Sequence, residues 1–403
     1  MTPVKFGIVG IGGYGRTHIR AVEELEQEGI ARLDAAVVID PENHPEKLAE
    51  FASRDVRVYD TLDGLLEAGG VDWITLPIGI HYHVPLSIAC LEAGFNVICE
   101  KPLTSTIQNA HQLIDVRNRT GKTVLVGYQS VYSAAIQTIK SHILEGKLGK
   151  VKSIRIHGGW PRHNFYYHRN PWAGKLKVGD EWVLDSPINN AMAHDVNGAF
   201  HLCGPTQHES AMPVTVQAEL YRARNIETLD TACLRARTHN GVDIVITLSH
   251  ATKDKFDPVT VLHAEKGTVT WSRKSATIFY ANGKEEPLGS DNSNKRGAFG
   301  NAIDITQNNA PAMCAPEVAI AQTLCINGAH ESCPDIVPFP PDLIETVEED
   351  TSDGLATFYY VRGLDELMHQ CAKEGRLFSE LDAKWAVQTR PFDLTGYDRF
   401  SLK

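Results

Sequence analysis

The chain has 403 residues, of which 42% are hydrophobic and 22% charged; 39 Lys+Arg against 50 Asp+Glu leave a formal net charge of −11. At roughly 150 residues per domain this composition predicts two globular domains, and it excludes wholesale disorder, collagen and coiled coil. No segment concentrates Lys and Arg and no apolar run approaches ~18 residues, so neither nucleic acid nor a membrane is an expected partner.

The eight cysteines (90, 99, 203, 233, 314, 325, 333 and 371) include no CxxC pair and no zinc-type spacing. They are expected to be reduced small hydrophobes, and no metal site is expected. The N-terminus shows no basic region followed by an apolar stretch and cleavage site, so a cytoplasmic location is expected.

Residues 1–130 alternate strands with helices. Val4–Gly10 is a gap-free apolar run, as in a strand covered on both faces, and Arg16–Glu28 has helical spacing. LDAAVVID (to Asp40), VRVYD, WITLP (73–77), NVICE (96–100) and TVLVGY (123–128) read as further strands. Helices are expected at Pro45–Ala52, Leu62–Ala68, His81–Ala93 and Thr106–Thr120, the last capped by Thr104 or Ser105. This rhythm implies βαβ units in a doubly wound parallel sheet.

From 131 to 403 the pattern changes. After a helix at Tyr132–Leu144 come alternating segments separated by Asn-Gly and Lys-Gly turns, which predict a large open, mainly antiparallel sheet in an α+β domain. Helices are expected at Pro187–Cys203, Glu317–His330 and Gly354–Lys373, and the acidic stretch Asp342–Asp353 as a solvated loop or helix face. Three helices are too few to cover both faces of such a sheet, so self-association through it is expected.

Gly10, Gly12, Gly13, Tyr14 and Gly15 close the first strand and open the first helix. Such a GxGxxG turn lets a pyrophosphate approach the backbone and face a helix N-terminus. Asp40 ends the second strand twenty-five residues past Gly15, near the ~20 expected for the acid that binds the ribose 2′-hydroxyl. Its charge would repel a 2′-phosphate, and Pro41, Glu42 and Asn43 offer no arginine to receive one. NAD is therefore expected over NADP.

Cys99-Glu100-Lys101-Pro102 lies at the carboxyl end of the fifth strand, where open parallel sheets place ligands. On spacing alone, Lys101 reads equally as a surface lysine or as a donor to a substrate hydroxyl. The glycine loop, Thr75-Leu76-Pro77 with His81, Glu100-Lys101-Pro102 and VGYQ (126–129) resemble the Gfo/Idh/MocA oxidoreductases, and the α+β half resembles that family's second domain. The resemblance implies that Lys101 is the catalytic lysine. It also implies that Leu76, Pro77, His81, Glu100 and Gln129 line the nicotinamide end, and that the protein forms a homodimer or homotetramer through its sheet.

In DSPINNAMAHDVNGAFHLCG, Ser186 is a plausible N-cap, Pro187 the first helical residue and Gly204 the stop. At about 100° per residue Asn190, His194, Asn197 and His201 share one narrow stripe, which is either a ligand-binding face or a solvated one. The family pattern Asp-x-Gly-x-His-x-x-Asp is met by His194 alone; Asn190 and Asn197 replace both carboxylates, and Val131 replaces an arginine. His194 is then the best general base, its ordinary pKa near ~6.5 needing little tuning. The run WPRHNFYYHRNPWAG (160–174) supplies Trp160, Arg162, Tyr166, His168, Arg169 and Trp172, a mixture suited to a polyhydroxylated ring or to a hydrophobic interface.

The expected activity is NAD-dependent oxidation of a secondary hydroxyl on a sugar, cyclitol or glycoside, with Lys101 and His194 as the acid/base pair. Two alternatives stay open: an NAD-retaining glycosidase working by transient oxidation and elimination, and a sugar-sensing regulator on the same fold.

Overall fold

The computed structural model describes residues 2–290 and 296–402. The apolar runs of the first half become β1 (Val4–Val9), β2 (Ala31–Val37), β3 (Arg57–Tyr59), β4 (Trp73–Leu76), β5 (Asn96–Cys99) and β6 (Val124–Val126). Between them lie α1 (Gly15–Gln27), α2 (Pro45–Ser53), α3 (Leu62–Ala68), α4 (His83–Glu92) and α5 (Ile107–Thr120). The strands pair in parallel in the order β3-β2-β1-β4-β5-β6, the doubly wound Rossmann arrangement. Phe6, Ile8, Leu33, Ile74, Leu76, Ile98 and Leu125 are fully enclosed, as gap-free apolar strands require.

The remaining elements are α6 (Ala134–Leu144), β7 (Val151–Gly159), α7 (Asn164–His168), β8 (Lys177–Val178), β9 (Glu181–Trp182), α8 (Ala193–Cys203), β10 (Pro213–Arg222), β11 (Thr231–Thr238) and β12 (Asp243–Ser249). They continue through β13 (Phe256–Ala264), β14 (Gly267–Ser272), β15 (Ala276–Tyr280), β16 (Glu285–Gly289), α9 (Gly297–Asn308), α10 (Pro316–Ser332) and β17 (Val337–Pro338). The chain ends with β18 (Ile344–Thr351), β19 (Gly354–Val361), α11 (Leu364–Glu374) and β20 (Phe392–Asp393). A mixed, mainly antiparallel ten-stranded sheet runs β16-β15-β14-β13-β7-β12-β11-β10-β17, with β20 beside β10.

Two compact units result. Residues 2–104, 109–132 and 296–319 form the first; 105–108, 133–290 and 320–402 form the second. The sequence pattern assigns everything after 130 to the second domain, whereas α9, which it does not reveal, groups with the first unit. There Phe299 packs edge-on against Phe6 and His18, and Cys314 O accepts from Val126 N at 2.8 Å.

Three sequence expectations are corrected. Gly354–Lys373 is not one helix: the aromatic run of β19 pairs with β18, and only α11 is helical. The acidic stretch is therefore mostly strand β18, with Ser352-Asp353 as the hairpin turn and Gly354, at φ +112°, opening β19. At the start of α5, Asn327 Oδ1 accepts from Ile107 N at 2.9 Å, and Ser105 Oγ donates to Val183 O at 2.7 Å. The helix expected over Pro187–Cys203 is broken: Pro187–Ala191 forms a wider π-type turn, Met192 leaves helical geometry (φ −118°, ψ 22°), and α8 starts afresh at Ala193.

The reason given for self-association also changes. One sheet face, carrying Val216, Leu220, Leu234, Ile246 and Ile156, is buried, with α8 against β7 and β13. The opposite face carries Glu219, Tyr221, Cys233 and Arg235, and the chain's own C-terminal segment covers it. Tyr221 and Cys233 pack with Leu364, Met368 and Phe378. Arg235 pairs with Glu380 at 2.7 Å, and Ser379 Oγ donates to Glu219 at 2.6 Å. The part of this face on β14 and β15, with Thr268, Thr270, Thr277 and a 39% exposed Phe279, lies beyond these contacts.

Three histidines of this unit, His201 and His330 fully enclosed and His157 partly so, are held neutral. Burial pushes His201 down to about 3, with Lys140 adding to it; burial pushes His330 to about 4, and His157 to about 4 beside His369. Because their folded pKa values lie below the unfolded ~6.5, the stability they carry is complete above that value and is lost as pH falls toward 4. Each adds a slope of up to about 1.4 kcal/mol per pH unit inside that window. The midpoint of chemical denaturation should therefore fall clearly between pH 7 and pH 5, with proton uptake on unfolding at pH 5. A midpoint flat over that interval would contradict the assignment.

Candidate functional site

In the turn from β1 into α1, Gly15 has no room for a side chain, and Gly10 and Gly13 hold a backbone conformation that favours glycine. A Cβ on Gly15 would lie 2.3 Å from Gly10 O, and Gly10 and Gly13 hold φ of +86° and +50°. Gly15 N donates to Gly12 O at 2.8 Å, and α1 opens with no acid in its first turn. This cradle fits a dinucleotide pyrophosphate: backbone amides and the positive end of α1 face it, and nothing negative opposes it.

Short contacts gather the neighbouring sequence-predicted residues. Pro77 Cγ lies 3.7 Å from the Cβ position of Gly15, and Gln129 Nε2 donates to Tyr14 Oη at 2.7 Å. Asp40 follows β2 with its side chain 46% exposed; it accepts from Asn43 Nδ2 at 3.2 Å, and His44 Nε2 lies 3.6 Å away. His44 also stands 3.4 Å from the Cβ position of Gly12, which ties the acid's neighbour to the glycine loop. Leu76 is fully enclosed in β4, and His81 is partly exposed with its ring 4.0 Å from that of Tyr82.

At the end of β5 a buried polar chain supports Lys101. His18 Nε2 lies 2.9 Å from Glu100 Oε1, and His18 Nδ1 2.6 Å from Thr75 Oγ1. One tautomer satisfies both bonds, with Nε2–H donating to the carboxylate and the threonine hydroxyl donating to Nδ1. Glu100 Oε2 also accepts from Lys101 N at 3.1 Å. Gly127 is required beneath it, since a Cβ there would fall 2.5 Å from Glu100 Oε1. His83, held neutral by burial, lies 2.7 Å from Pro102 O through Nδ1 and thereby anchors the residue after Lys101. A cavity of about 210 Å³ adjoins this chain, lined by Thr17, His18, Glu100, Gly127, Gln129 and Phe299. The sequence identified Glu100 and Gln129; it gave no signal for His18 beyond its place three residues past Gly15, nor for His83.

In the second unit Ser186 caps the turn as expected, Oγ accepting from Asn189 N at 3.2 Å. The break at Met192 removes Asn190 from the α8 stripe. Within α8, His194 is partly exposed, while Asn197 and His201 are fully buried. Asn190 instead turns toward Asp185, donating from Nδ2 to Oδ1 at 2.8 Å; Asp185 Oδ2 accepts from Gly174 N at 2.7 Å. A carboxylate therefore stands beside Asn190 after all, supplied by a residue that helical spacing could not find.

Residues 160–174 form an ordered platform. Asn170 Oδ1 accepts from Trp172 N at 3.1 Å and Ala173 N at 2.8 Å. Arg224, buried, pairs with Asp230 at 2.9 Å and donates to Arg162 O at 2.6 Å and His250 O at 3.0 Å. Tyr167 Oη lies 3.0 Å from His250 Nδ1, and burial, then Arg162, Arg224 and Arg169, hold that imidazole well below its usual range. Arg169 lies 3.7 Å from the Tyr166 ring and 5.3 Å from that of Trp172; Arg162 lies 4.7 Å from Tyr166 and 5.4 Å from Trp160. His168 is exposed at the end of α7. Among the described residues no group of three His, Cys, Asp or Glu is placed to hold a metal, and no helix is long and apolar enough to cross a membrane.

The parallel sheet and its glycine cradle define an NAD-binding Rossmann unit. Residues 4–128 match the GFO/IDH/MocA oxidoreductase family model, NAD-binding Rossmann fold, and residues 136–270 match the family's C-terminal domain; the chain belongs to this family. Among curated relatives, inositol 2-dehydrogenase of Serratia proteamaculans is 26% identical over 195 residues, 48% of this chain and 52% of that protein. The rhizopine catabolism protein MocA of Rhizobium meliloti is 27% identical over 151 residues, 38% of this chain and 45% of its own. The chain thus matches about half the length of these relatives. The WlbA dehydrogenase of Bordetella pertussis, solved with NADH and UDP-GlcNAcA, is similar in fold, with TM-score 0.68 and 22% identity over 83% of this chain and 97% of that one. A levoglucosan dehydrogenase solved with NADH has TM-score 0.70 and 15% identity over 82% and 97%.

Because the Gly15 Cβ position overlaps a backbone oxygen, Gly15→Ala must move the loop or the helix, and such overpacking costs about 1–3 kcal/mol. Titration by fluorescence quenching should show NAD affinity at least about 5-fold weaker, with circular dichroism confirming a folded protein. Unchanged affinity in the folded variant would remove the cradle from the NAD site.

Proposed function

We propose that the protein is an NAD-dependent dehydrogenase that oxidises a secondary hydroxyl of a sugar or polyol, with Lys101 and His194 as its acid/base pair. The observation that carries the reading is the support built around Lys101. A buried Thr75–His18–Glu100 chain fixes its backbone amide, and His83 fixes the next residue, at the strand end beside the glycine cradle. Gly10, Gly12, Gly13, Tyr14 and Gly15 would hold the pyrophosphate and Asp40 the adenosine ribose; Leu76, Pro77, His81, Glu100 and Gln129 would border the nicotinamide end. NAD, when bound, accepts the hydride.

The residues of the chain would do the rest. Lys101 donates a hydrogen bond to the reacting hydroxyl, and His194 takes its proton as the carbon is oxidised. Asn190, oriented by Asp185, binds a second hydroxyl, since an amide can bind a hydroxyl without removing its proton. Trp160, Arg162, Tyr166, His168, Arg169 and Trp172 would offer stacking surface and donors, and Asn197 a buried amide on α8. Cytoplasmic action and a homodimer or homotetramer through β14 and β15 belong to the same proposal; light scattering that finds a monomer at micromolar concentration would sink the oligomer.

General acid–base groups are worth ~10²–10⁴-fold. Lys101→Ala and His194→Ala should each lose turnover on that scale while binding NAD nearly as the parent does. The group near neutrality in the pH–rate profile should vanish in His194→Ala; near-full activity with an unchanged profile there would assign the proton elsewhere.

Asp40 also sets the cofactor. Its charge and acceptor oxygens favour a 2′-hydroxyl over a 2′-phosphate, so NAD should bind more tightly than NADP, and Asp40→Ala should narrow the gap. Equal or tighter NADP binding by the parent protein would overturn this part.

A further inference from the structure

In the second unit guanidinium groups and aromatic rings alternate in one continuous ladder. Arg273 lies 4.5 Å from the Trp160 ring, Arg162 5.4 Å from Trp160 and 4.7 Å from Tyr166, and Arg169 3.7 Å from Tyr166 and 5.3 Å from Trp172. Arg224 closes the group from below, 5.4 Å from the Tyr167 ring. A chain of net charge −11 thus gathers five cations here, counting Lys274.

The nearby carboxylates are already engaged. Asp230 is paired with Arg224; Asp257 accepts from Trp160 Nε1 at 3.1 Å and pairs with Lys274 at 3.5 Å; Asp185 serves Gly174 and Asn190. Among the described residues no carboxylate comes within ion-pair distance of Arg162, Arg169 or Arg273, and the Arg162 Nε–H is buried without an acceptor. The field of Arg162, Arg169 and Arg224 converges on buried His250, which adds a donor or acceptor and no charge. Arg169 Nη1 donates to Tyr166 O and Arg162 hydrogen-bonds the Tyr166 side chain, which orients both guanidinium groups beside the rings and leaves their other N–H groups for contact with the oxygens of an anion. Like charges kept together without a counter-charge cost stability unless an anion joins them.

We propose that this ladder recognises an anionic oxyacid group, carboxylate or phosphate, on the carbohydrate substrate, with Arg162 and Arg169 as its forked donors. The ligand is then a sugar acid or a phosphorylated sugar, with its ring on Tyr166 or Trp172 and its hydroxyls toward Asn190. Neutral cyclitols and sugars would lack the group that the site is charged to hold. This inference rests on the dehydrogenase reading and names the substrate class of that same site.

The test is calorimetric titration of the NAD-loaded protein with D-glucuronate, D-galacturonate, glucose 6-phosphate and glucose. Hydrogen bonds to charged groups give about 10-fold or more per contact, so at least one acid should bind at least about 10-fold more tightly than glucose and weaken with added salt. The tighter arm identifies carboxylate or phosphate. R162Q and R169Q should each lose about 10-fold affinity for that acid, R162K should recover part of it, and an unchanged NAD titration confirms the fold. Equal binding of glucose and all the acids, or acid affinity unmoved in both glutamine variants, overturns the proposal. NADH formation at 340 nm separates the two readings. Arginine-dependent acid binding without NADH leaves the anion site and removes the dehydrogenase, while NADH from neutral polyols as efficiently as from acids does the reverse.

Discussion

Everything at the cofactor side depends on one close approach of backbone to backbone: Gly10 O occupies the space where any larger residue at 15 would place its Cβ, only 2.3 Å away. That approach starts α1 directly at the end of β1. Since β1 lies between β2 and β4, the helix terminus falls at the point where strand order reverses, and open parallel sheets bind ligands there. Asp40 on the β2 side and Pro77 on the β4 side flank it for the same topological reason. The buried Thr75–His18–Glu100 chain extends this order to the end of β5, because His18 lies one turn into α1 and reaches a strand that the sheet has already placed.

The second unit is organised by charge. Its sheet is ordinary in burying one apolar face, but the segments that leave its strand ends carry a set of arginines held by aromatic rings and by one buried ion pair, Arg224–Asp230. Arg224 donates to carbonyls of residues 162, 250 and 359, so two loops and strand β19 share a single cation. The platform of residues 160–174 is thereby rigid on its inner side, while Arg169 and His168 stay exposed on its outer side. The opposite sheet face, which the alternation pattern leaves bare, is sealed by α11 and the segment after it through Arg235–Glu380 and the Tyr221 cluster.

The parallel half was legible almost completely, because strands buried on both faces are unbroken apolar runs and GxGxxG names its own turn. Leu62–Ala68 was recovered to the residue. What escaped was tertiary. β19 contains alternation that an apolar-rich helix can imitate, and only its pairing with β18 decides between them. The π-type turn at Pro187–Ala191 cannot be read from a 3.6-residue period, which puts Asn190 on the α8 stripe and gives no sign of its neighbour Asp185. The arginine ladder was visible as composition in residues 160–174, yet Arg224 and Arg273, which complete it, come from distant strands and turns that no local pattern connects.

Net hydride transfer separates a dehydrogenase from an enzyme that oxidises its substrate only transiently. A substrate alcohol from the acidic-sugar class, carrying deuterium on the carbinol carbon, should be oxidised with stoichiometric formation of reduced nucleotide whose nicotinamide C4 carries the label, read by mass spectrometry or NMR. Label returned to its own carbon, with solvent hydrogen entering the neighbouring carbon, a glycoside cleaved and no net NADH, would contradict the dehydrogenase and point to transient oxidation instead.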